Sequence, residues 1–266
     1  MKNFGLQLFS IRDRLTTPEG TRDAFKAISK MGYTEVQTAG TYDYIKPEDF
    51  AAYAREAGLY VCGTHYSYDR IKNDIEGTVA YHNTLGTKII GVGGASSMEV
   101  FASRENLLAF IEEFNALAEI YAKRGFKLSY HNHATEGIKL DGKPVLEYMI
   151  ENFSENVTFC LDTYWAQVGG FDIVHTIERI AGRIDILHLK DFRAFYEYRL
   201  EGGRILHGPD MIEVGEGNLD FPRIVKAAEA AGCKHFIVED EHYSTGDSME
   251  SVSISASYIK KNLLEK

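Results

Sequence analysis

The sequence predicts a closed (β/α)8 barrel, and three observations carry that prediction. Eight short β-branched or aromatic runs alternate with helical stretches along the chain. A glycine follows six of the helical stretches, one or two residues before the next run, at Gly32, Gly58, Gly86, Gly125, Gly182 and Gly232. The pattern fills 266 residues, close to the ~250 that eight βα units occupy when they close. Such alternation makes a parallel sheet with helices outside it. An open doubly wound sheet is the alternative. Against it, the first run is followed by Phe9-Ser10-Ile11-Arg12-Asp13 instead of a glycine-rich phosphate loop, and no change of composition marks a second domain. One barrel domain over 1–266 is expected.

In chain order the expected strands are Phe4 to Phe9, Glu35 to Thr38, Tyr60 to Thr64, Lys88 to Val92, Lys127 to Asn132, Val157 to Leu161, Asp185 to Leu189 and His235 to Glu239. The first helix is announced by Thr17-Pro18-Glu19 and by the spacing of Ala24, Phe25, Ile28 and Met31; the second opens at Pro47-Glu48-Asp49. The clearest helix lies between strands four and five, where Leu107, Leu108, Ile111, Phe114, Leu117, Ala118 and Tyr121 share one face. Asp220 before Phe221-Pro222 opens the helix that precedes the last strand. Asp191 to Leu219 is the one long irregular stretch, rich in aromatics, Arg and Gly. It follows the seventh strand, on the face where barrels keep their active sites, and reads as a substrate lid, with a disordered insert as the alternative.

Composition excludes several classes. Lys and Arg number 29 against 39 Asp and Glu, a net charge of −10, which opposes a phosphate-binding surface and hence nucleic acid. No run approaches the ~18–20 apolar residues of a membrane span, and Met1 to Arg14 lacks an export signal. Cys62, Cys160 and Cys233 are far apart and set in apolar runs, as reduced core thiols of a cytoplasmic protein are.

The chemistry gathers at the C-terminal ends of the expected strands. His65 ends the third, His131 and His133 the fifth and His188 the seventh, while His242 follows the eighth; five of the chain's nine histidines therefore share one rim. Side chains alternate along a strand, so His131 with His133, His188 with Lys190, and Glu239 with Glu241 are same-side pairs. Asp162 directly follows the sixth run. Asp162, His188, Glu239 and a further glutamate at one mouth suit a divalent ion, Mn, Mg or Co, and tolerate Zn.

Five segments carry a wider resemblance: Tyr130-His131-Asn132-His133-Ala134-Thr135-Glu136, Leu161-Asp162-Thr163-Tyr164-Trp165, His188-Leu189-Lys190-Asp191, Gly215-Glu216-Gly217-Asn218-Leu219-Asp220 and Val238-Glu239-Asp240-Glu241. In this order they resemble the xylose isomerase-like barrel family of sugar (phosphate) isomerases and epimerases. The resemblance implies a metal held by Glu136, Asp162, His188 and Glu239. His133 is an alternative to Glu136, and Glu241 competes with Glu239. Gln37 stands where many relatives carry glutamate, and Ala134-Thr135 where an acidic-aromatic pair is common. The implied substrate is a sugar, and the implied assembly includes homo-oligomers.

Chemically, a metal stabilises the enediolate formed when a proton leaves the carbon beside a sugar carbonyl. Glu136 and Glu239 on opposite sides of the sugar are the expected base and acid. A leaving group β to the carbanion turns the same intermediate toward dehydration of a keto-sugar or inosose, the runner-up reading. An apurinic-site endonuclease conflicts with the acidic charge, and a non-catalytic sugar-binding module leaves the mouth carboxylates without a role. His65, His131 and Lys190 are the expected substrate contacts, Lys190 pairing with Asp191 or Glu216 being its plain structural alternative. Trp165 offers either an aromatic wall or rim packing. Phe192, Phe195, Tyr196 and Tyr198 either cap the pocket or face a neighbouring subunit.

Overall fold

Eight parallel strands close on themselves as expected: β1 (Gly5–Gln7), β2 (Glu35–Ala39), β3 (Tyr60–His65), β4 (Ile89–Val92), β5 (Lys127–His131), β6 (Val157–Asp162), β7 (Ile184–Leu189) and β8 (His235–Val238), each paired with its neighbours in sequence and β8 with β1. The structure is a computed structural model that describes residues 1–201 and 204–265, with the side chains of 195–207 outside the description. Ten helices of the described residues surround the sheet: α1 (Pro18–Met31), α2 (Pro47–Glu56), α3 (Tyr68–Asn73), α4 (Ile75–Leu85), α5 (Arg104–Ala122), α6 (Val145–Asn152), α7 (Thr163–Val168), α8 (Ile173–Arg179), α9 (Phe221–Ala230) and α10 (Ser248–Asn262). None of them is long and apolar enough to cross a membrane.

Local chemistry explains where the helices start and stop. Thr17 caps α1 by accepting from the Gly20 amide at 3.0 Å, Pro18 occupies the first turn, and Gly32 ends the helix at φ 106°, a left-handed conformation that costs other residues energy. Gly86 ends α4 in the same way at φ 79°. The α5 face is buried as its spacing predicts, with Phe114 fully enclosed and its ring against Tyr130 and Phe153. The main core lies between sheet and helices, while Cys62, Ile89, Cys160, Ile186 and Ile237 fill the barrel interior as a separate cluster. The three cysteines are free and buried.

Two expectations are corrected. The first strand stops at Gln7, because the Gln7 side chain accepts from the Phe9 amide at 3.2 Å and turns Leu8–Arg14 into a 3-10 segment. This puts Phe9 at the mouth, 38% exposed. The stretch after β7 is not irregular: Asp191–Glu201 and Arg204–Ile212 pair antiparallel. Aromatic residues favour paired strands, and Gly202-Gly203 between the two halves is a hairpin signal in the sequence. The hairpin base is tied by Asp191, whose carboxylate accepts from the amides of Phe192, Gly215, Gly217 and Leu219 at 2.7–3.2 Å. A side chain on Gly217 would meet that carboxylate at 2.4 Å, which explains one glycine of the Gly215-Glu216-Gly217 loop. Phe192 lies against Tyr164 with ring centroids 6.3 Å apart. The capping role expected of Phe195, Tyr196 and Tyr198 falls on side chains outside the described residues.

A buried histidine in the wall of the fold makes stability depend on pH. His82 is fully buried; Nδ1 lies 2.7 Å from the Thr78 carbonyl, which can only accept, so Nδ1 carries the proton and Nε2 accepts from Thr64 Oγ1 at 2.8 Å. Burial lowers its pKa to about 4, against the pull of the Thr78 carbonyl. A neutral native imidazole contributes stability that is present above ~6.5, the unfolded value, and is lost as pH falls through about 4. In His82→Gln the loss of unfolding free energy between pH 6.5 and 4.5 is expected to be shallower than in the parent, by up to ~1.4 kcal/mol per pH unit. Urea titrations across that range check this; equal slopes in the two proteins would refute it.

Candidate active site

Four side chains from four consecutive strand ends converge at the C-terminal mouth. His131 ends β5, Asp162 ends β6, His188 lies near the end of β7 and Glu239 follows β8; their ligand atoms all lie within 4.8 Å of one another. All four are buried. A cavity of 320 Å³ opens above them, lined by Phe9, His65, His131, His133, Glu239 and Glu241 among others.

Asp162 and His188 are held from behind. Asp162 Oδ1 accepts from the Trp165 amide at 2.8 Å and so caps α7. Asn132 fixes the same corner, its Oδ1 accepting from the Asp162 amide at 2.8 Å. Gln37 Oε1 lies 2.6 Å from His188 Nε2 and accepts from Gln7 Nε2 at 3.0 Å. This orients the ring so that Nδ1 faces Glu239 at 3.2 Å and Asp162 at 3.6 Å. Thr163 Oγ1 lies within hydrogen-bonding reach of the His188 and Lys190 carbonyls, at 3.0 and 2.8 Å. Gln7, Asn132 and Thr163 were not singled out by the sequence reading. Gln7, closing the otherwise apolar β1, and Gln37, buried in the middle of β2, were the available signal.

The electrostatics suit a cation. Burial opposes charge on Asp162, but Lys190 and the two histidines outweigh it and lower its pKa to about 2. Glu239 is likewise held ionised against burial by Lys190 and His188. Burial keeps His131 neutral with a pKa of about 4, and His65 well below the ordinary imidazole value. His188 runs the other way: burial resists its charge, yet Cys160, Glu239 and Asp162 around it raise its pKa. The field that draws a proton to His188 would also draw a divalent ion. Asp162 Oδ2 and both ring nitrogens of His131 are buried with no hydrogen-bond partner, a cost of ~1–3 kcal/mol per group that ligation would remove. Two imidazole nitrogens and two carboxylates fit Mn, Co or Zn better than the all-oxygen preference of Mg.

Of the four expected ligands, the structure brings together Asp162, His188 and Glu239 but not Glu136. Glu136 is fully buried in a short turn (Ala134–Gly137) after β5, where Oε1 accepts from the Tyr130 hydroxyl at 2.6 Å and Oε2 from the His133 amide at 2.8 Å and Thr135 Oγ1 at 3.0 Å. Its oxygens are already satisfied as a helix-start cap, so neither the ligand nor the base expected of Glu136 is available there. His131, expected as a substrate contact, stands in its place. His133 is one step outside, its ring 4.8 Å from His131 and 5.5 Å from Trp165.

Lys190 is 1% exposed, its Nζ 3.4 Å from Glu239 and in contact with Glu241. Burial opposes its charge, but Glu239, Asp162 and Glu241 raise its pKa, so it is a fixed cation. It does not pair with Asp191, which binds backbone amides. Glu241 meets the cluster through Lys190, and of the pair it is Glu239 whose carboxylate lies with His131, Asp162 and His188. Trp165 lies under Nζ of Lys190 at 4.9 Å, edge-on to Tyr164 at 4.8 Å and 5.5 Å from the His133 ring, so it packs the rim behind these side chains. His65 lies 4.8 Å from His131 and 5.5 Å from His188, ring to ring, with Nε2 unpaired. His242 is not part of the cluster; it is exposed and faces Asp210 of the hairpin at 3.3 Å.

Comparison with known proteins agrees with this architecture. The family model for the xylose isomerase-like TIM barrel matches residues 25–262. An inosose dehydratase of Geobacillus thermodenitrificans is 28% identical over 137 residues, covering 49% of this chain and 46% of the relative. The chain thus matches about half the length of that relative. An inosose dehydratase of Glaesserella parasuis is 24% identical over 252 residues, covering 82% and 83%. The crystal structure of a sugar phosphate isomerase/epimerase from Parabacteroides distasonis superposes with a TM-score of 0.83 at 24% identity, over 100% of this chain and 96% of that one. With eight parallel strands closed around a carboxylate and histidine cluster and most of its length matched, the chain belongs to the xylose isomerase-like TIM barrel family.

Proposed function

We propose that this protein is a divalent-metal-dependent lyase that dehydrates a keto-sugar or inosose by way of an enediolate. The observation that carries the reading is the position of Glu136. Epimerisation removes a proton from one face of the sugar and returns one to the other, which calls for bases on opposite sides. With Glu136 committed to Tyr130 and the His133 amide, the carboxylates lining the cavity are Glu239 and Glu241, both from the end of β8. Syn elimination needs only one: Glu239, held ionised, accepts the proton beside the carbonyl and returns it to the β-hydroxyl on the same face, which leaves as water. The likeness to inosose dehydratases supports the same outcome.

Held by His131, Asp162, His188 and Glu239, a divalent ion would supply Lewis-acid polarisation of the carbonyl. The protein's own part is binding and proton transfer. Lys190, unable to lose its proton beside three carboxylates, holds a substrate oxygen and offsets the negative charge that develops on it. His65, neutral by burial, offers an unpaired Nε2 to a hydroxyl. Trp165 packs beneath the Lys190 ammonium and keeps it in place.

Isomerisation is the second reading, favoured by Glu239 and Glu241 lining one cavity: moving a proton between adjacent carbons on one face also needs a single side. The two separate in heavy water. With manganese-loaded protein and a keto-inositol, dehydration is expected to give an unsaturated ketone, followed by its ultraviolet absorbance and by mass loss of one water. Solvent deuterium in a product of unchanged unsaturation would overturn the lyase reading in favour of isomerisation.

A further inference from the structure

Three cavities at the C-terminal end of the barrel share walls. The 320 Å³ cavity above the ligand cluster shares His65 and Gly93 with a neighbour of 410 Å³, which in turn shares Thr41 with a third of 510 Å³. A groove therefore runs from the candidate active site, past the ends of β3 and β4, to the loop between β2 and α2. Inner and outer walls are one piece of chain: the Ala39 amide, beside the inner cavity, donates to the Tyr42 hydroxyl at 3.4 Å, and Tyr42 lines the outermost cavity.

The lining changes along the groove. Histidines and glutamates surround the inner end, whereas tyrosines dominate the outer one. Tyr66 stacks on Tyr81 with centroids 4.9 Å apart and planes at 28°, and Tyr42 stacks on Phe50 at 5.1 Å and 13°. Tyr44 packs edge-on to Tyr42 at 5.9 Å, with its hydroxyl 2.8 Å from Thr21 Oγ1. These contacts set the ring planes without any ligand. Around them Thr41, Asp43, Lys46 and Arg70 are exposed. Flat aromatic faces beside donors and acceptors suit a ring that has C–H faces and a hydroxylated edge. The inner cavity sits at the low end of the ~300–1,000 Å³ range of ligand sites, room for a single ring, and none of the acid–base groups reaches the outer cavity.

We infer that the tyrosine-lined cavity is a second subsite for another ring of the same substrate, so that the substrate class is a two-ring glycoside whose keto-ring enters the inner cavity. This rests on the reading of the inner cavity as a site for a polyhydroxylated ring. The glycosidic partner gains binding from Tyr44, Tyr81 and Arg70 and takes no part in proton transfer.

Calorimetric titration of the manganese-loaded full chain tests it, with D-glucose and myo-inositol as one-ring probes and cellobiose, maltose and phenyl β-D-glucoside as two-ring probes. At least one two-ring probe is expected to bind ~10-fold or more tightly than D-glucose. Tyr44→Ala and Arg70→Ala should each remove most of that increment while leaving one-ring binding unchanged. Both positions are at least partly exposed, and thermal melts report whether the variants fold. Two-ring probes that bind no better than D-glucose overturn the subsite, as does an increment that survives both substitutions. If one-ring probes also fail to bind, the inner-cavity reading falls and takes this inference with it.

Discussion

Asp162→Ala is expected to abolish metal retention and lower turnover by ~10³-fold or more. A Lewis acid at a developing enediolate is worth several kcal/mol, and each ~1.4 kcal/mol is tenfold in rate. Of the proposed ligands Asp162 has the clearest free valence: Oδ2 is buried and unpaired while Oδ1 is spent on the Trp165 amide. That second role complicates the alanine variant, because removing the cap also costs α7 ~1 kcal/mol. Asp162→Asn separates the effects by keeping the acceptor that caps the helix while removing the charge. Elemental analysis should find about one divalent ion per chain in the parent and a marked loss in both variants, with a near-parental melting temperature for metal-free Asp162→Asn. Undiminished metal in both variants would refute the ligand set. By contrast, Glu136→Gln should retain its metal, since that side chain faces Tyr130 and not the cluster.

Lys190→Met is the second large effect, expected to reduce kcat by ~10²–10³-fold, the usual cost of losing one donor aimed at developing charge. Nζ is enclosed, close to Glu239 and Glu241 and above the Trp165 ring. Methionine fills a similar volume but leaves two carboxylates without their cation, so folding should weaken as well as activity. Lys190→Arg keeps the charge and should recover part of both losses, although the planar guanidinium cannot copy an ammonium point charge. The informative readout is the split between parameters: a group acting on the intermediate lowers kcat, whereas one that merely holds the ground state raises KM. A Lys190→Met variant with kcat within threefold of the parent would leave Lys190 a structural counter-ion.

The barrel and most of the rim were legible in the sequence because both follow from local regularities. Alternating apolar runs and helix-stop glycines are short-range signals, and a parallel barrel places every strand's C-terminal end on one face, so His131, Asp162, His188 and Glu239 could be assigned to one mouth without coordinates. The period of two along a strand also placed Lys190 on the side of His188, and both meet Glu239. The hairpin after β7 is hard to read because its Arg and Gly content resembles a loop, although the pairing is local and centred on Gly202-Gly203 in the sequence.

What the sequence by itself determined was the architecture, the face that carries the chemistry and the types of group available there. Only the tertiary structure separated candidate groups that lie a few residues apart. Glu136 and His131 lie five positions apart beside one strand end; a short turn rotates the glutamate into a buried cap with Tyr130, while the last residue of β5 points its imidazole at Asp162. That choice depends on backbone dihedrals at His133 and on the hydroxyl of Tyr130 from β5 itself, and neither has a periodic signature. The groove shared by three cavities is likewise a property of loops from different strands brought side by side, which no local pattern encodes.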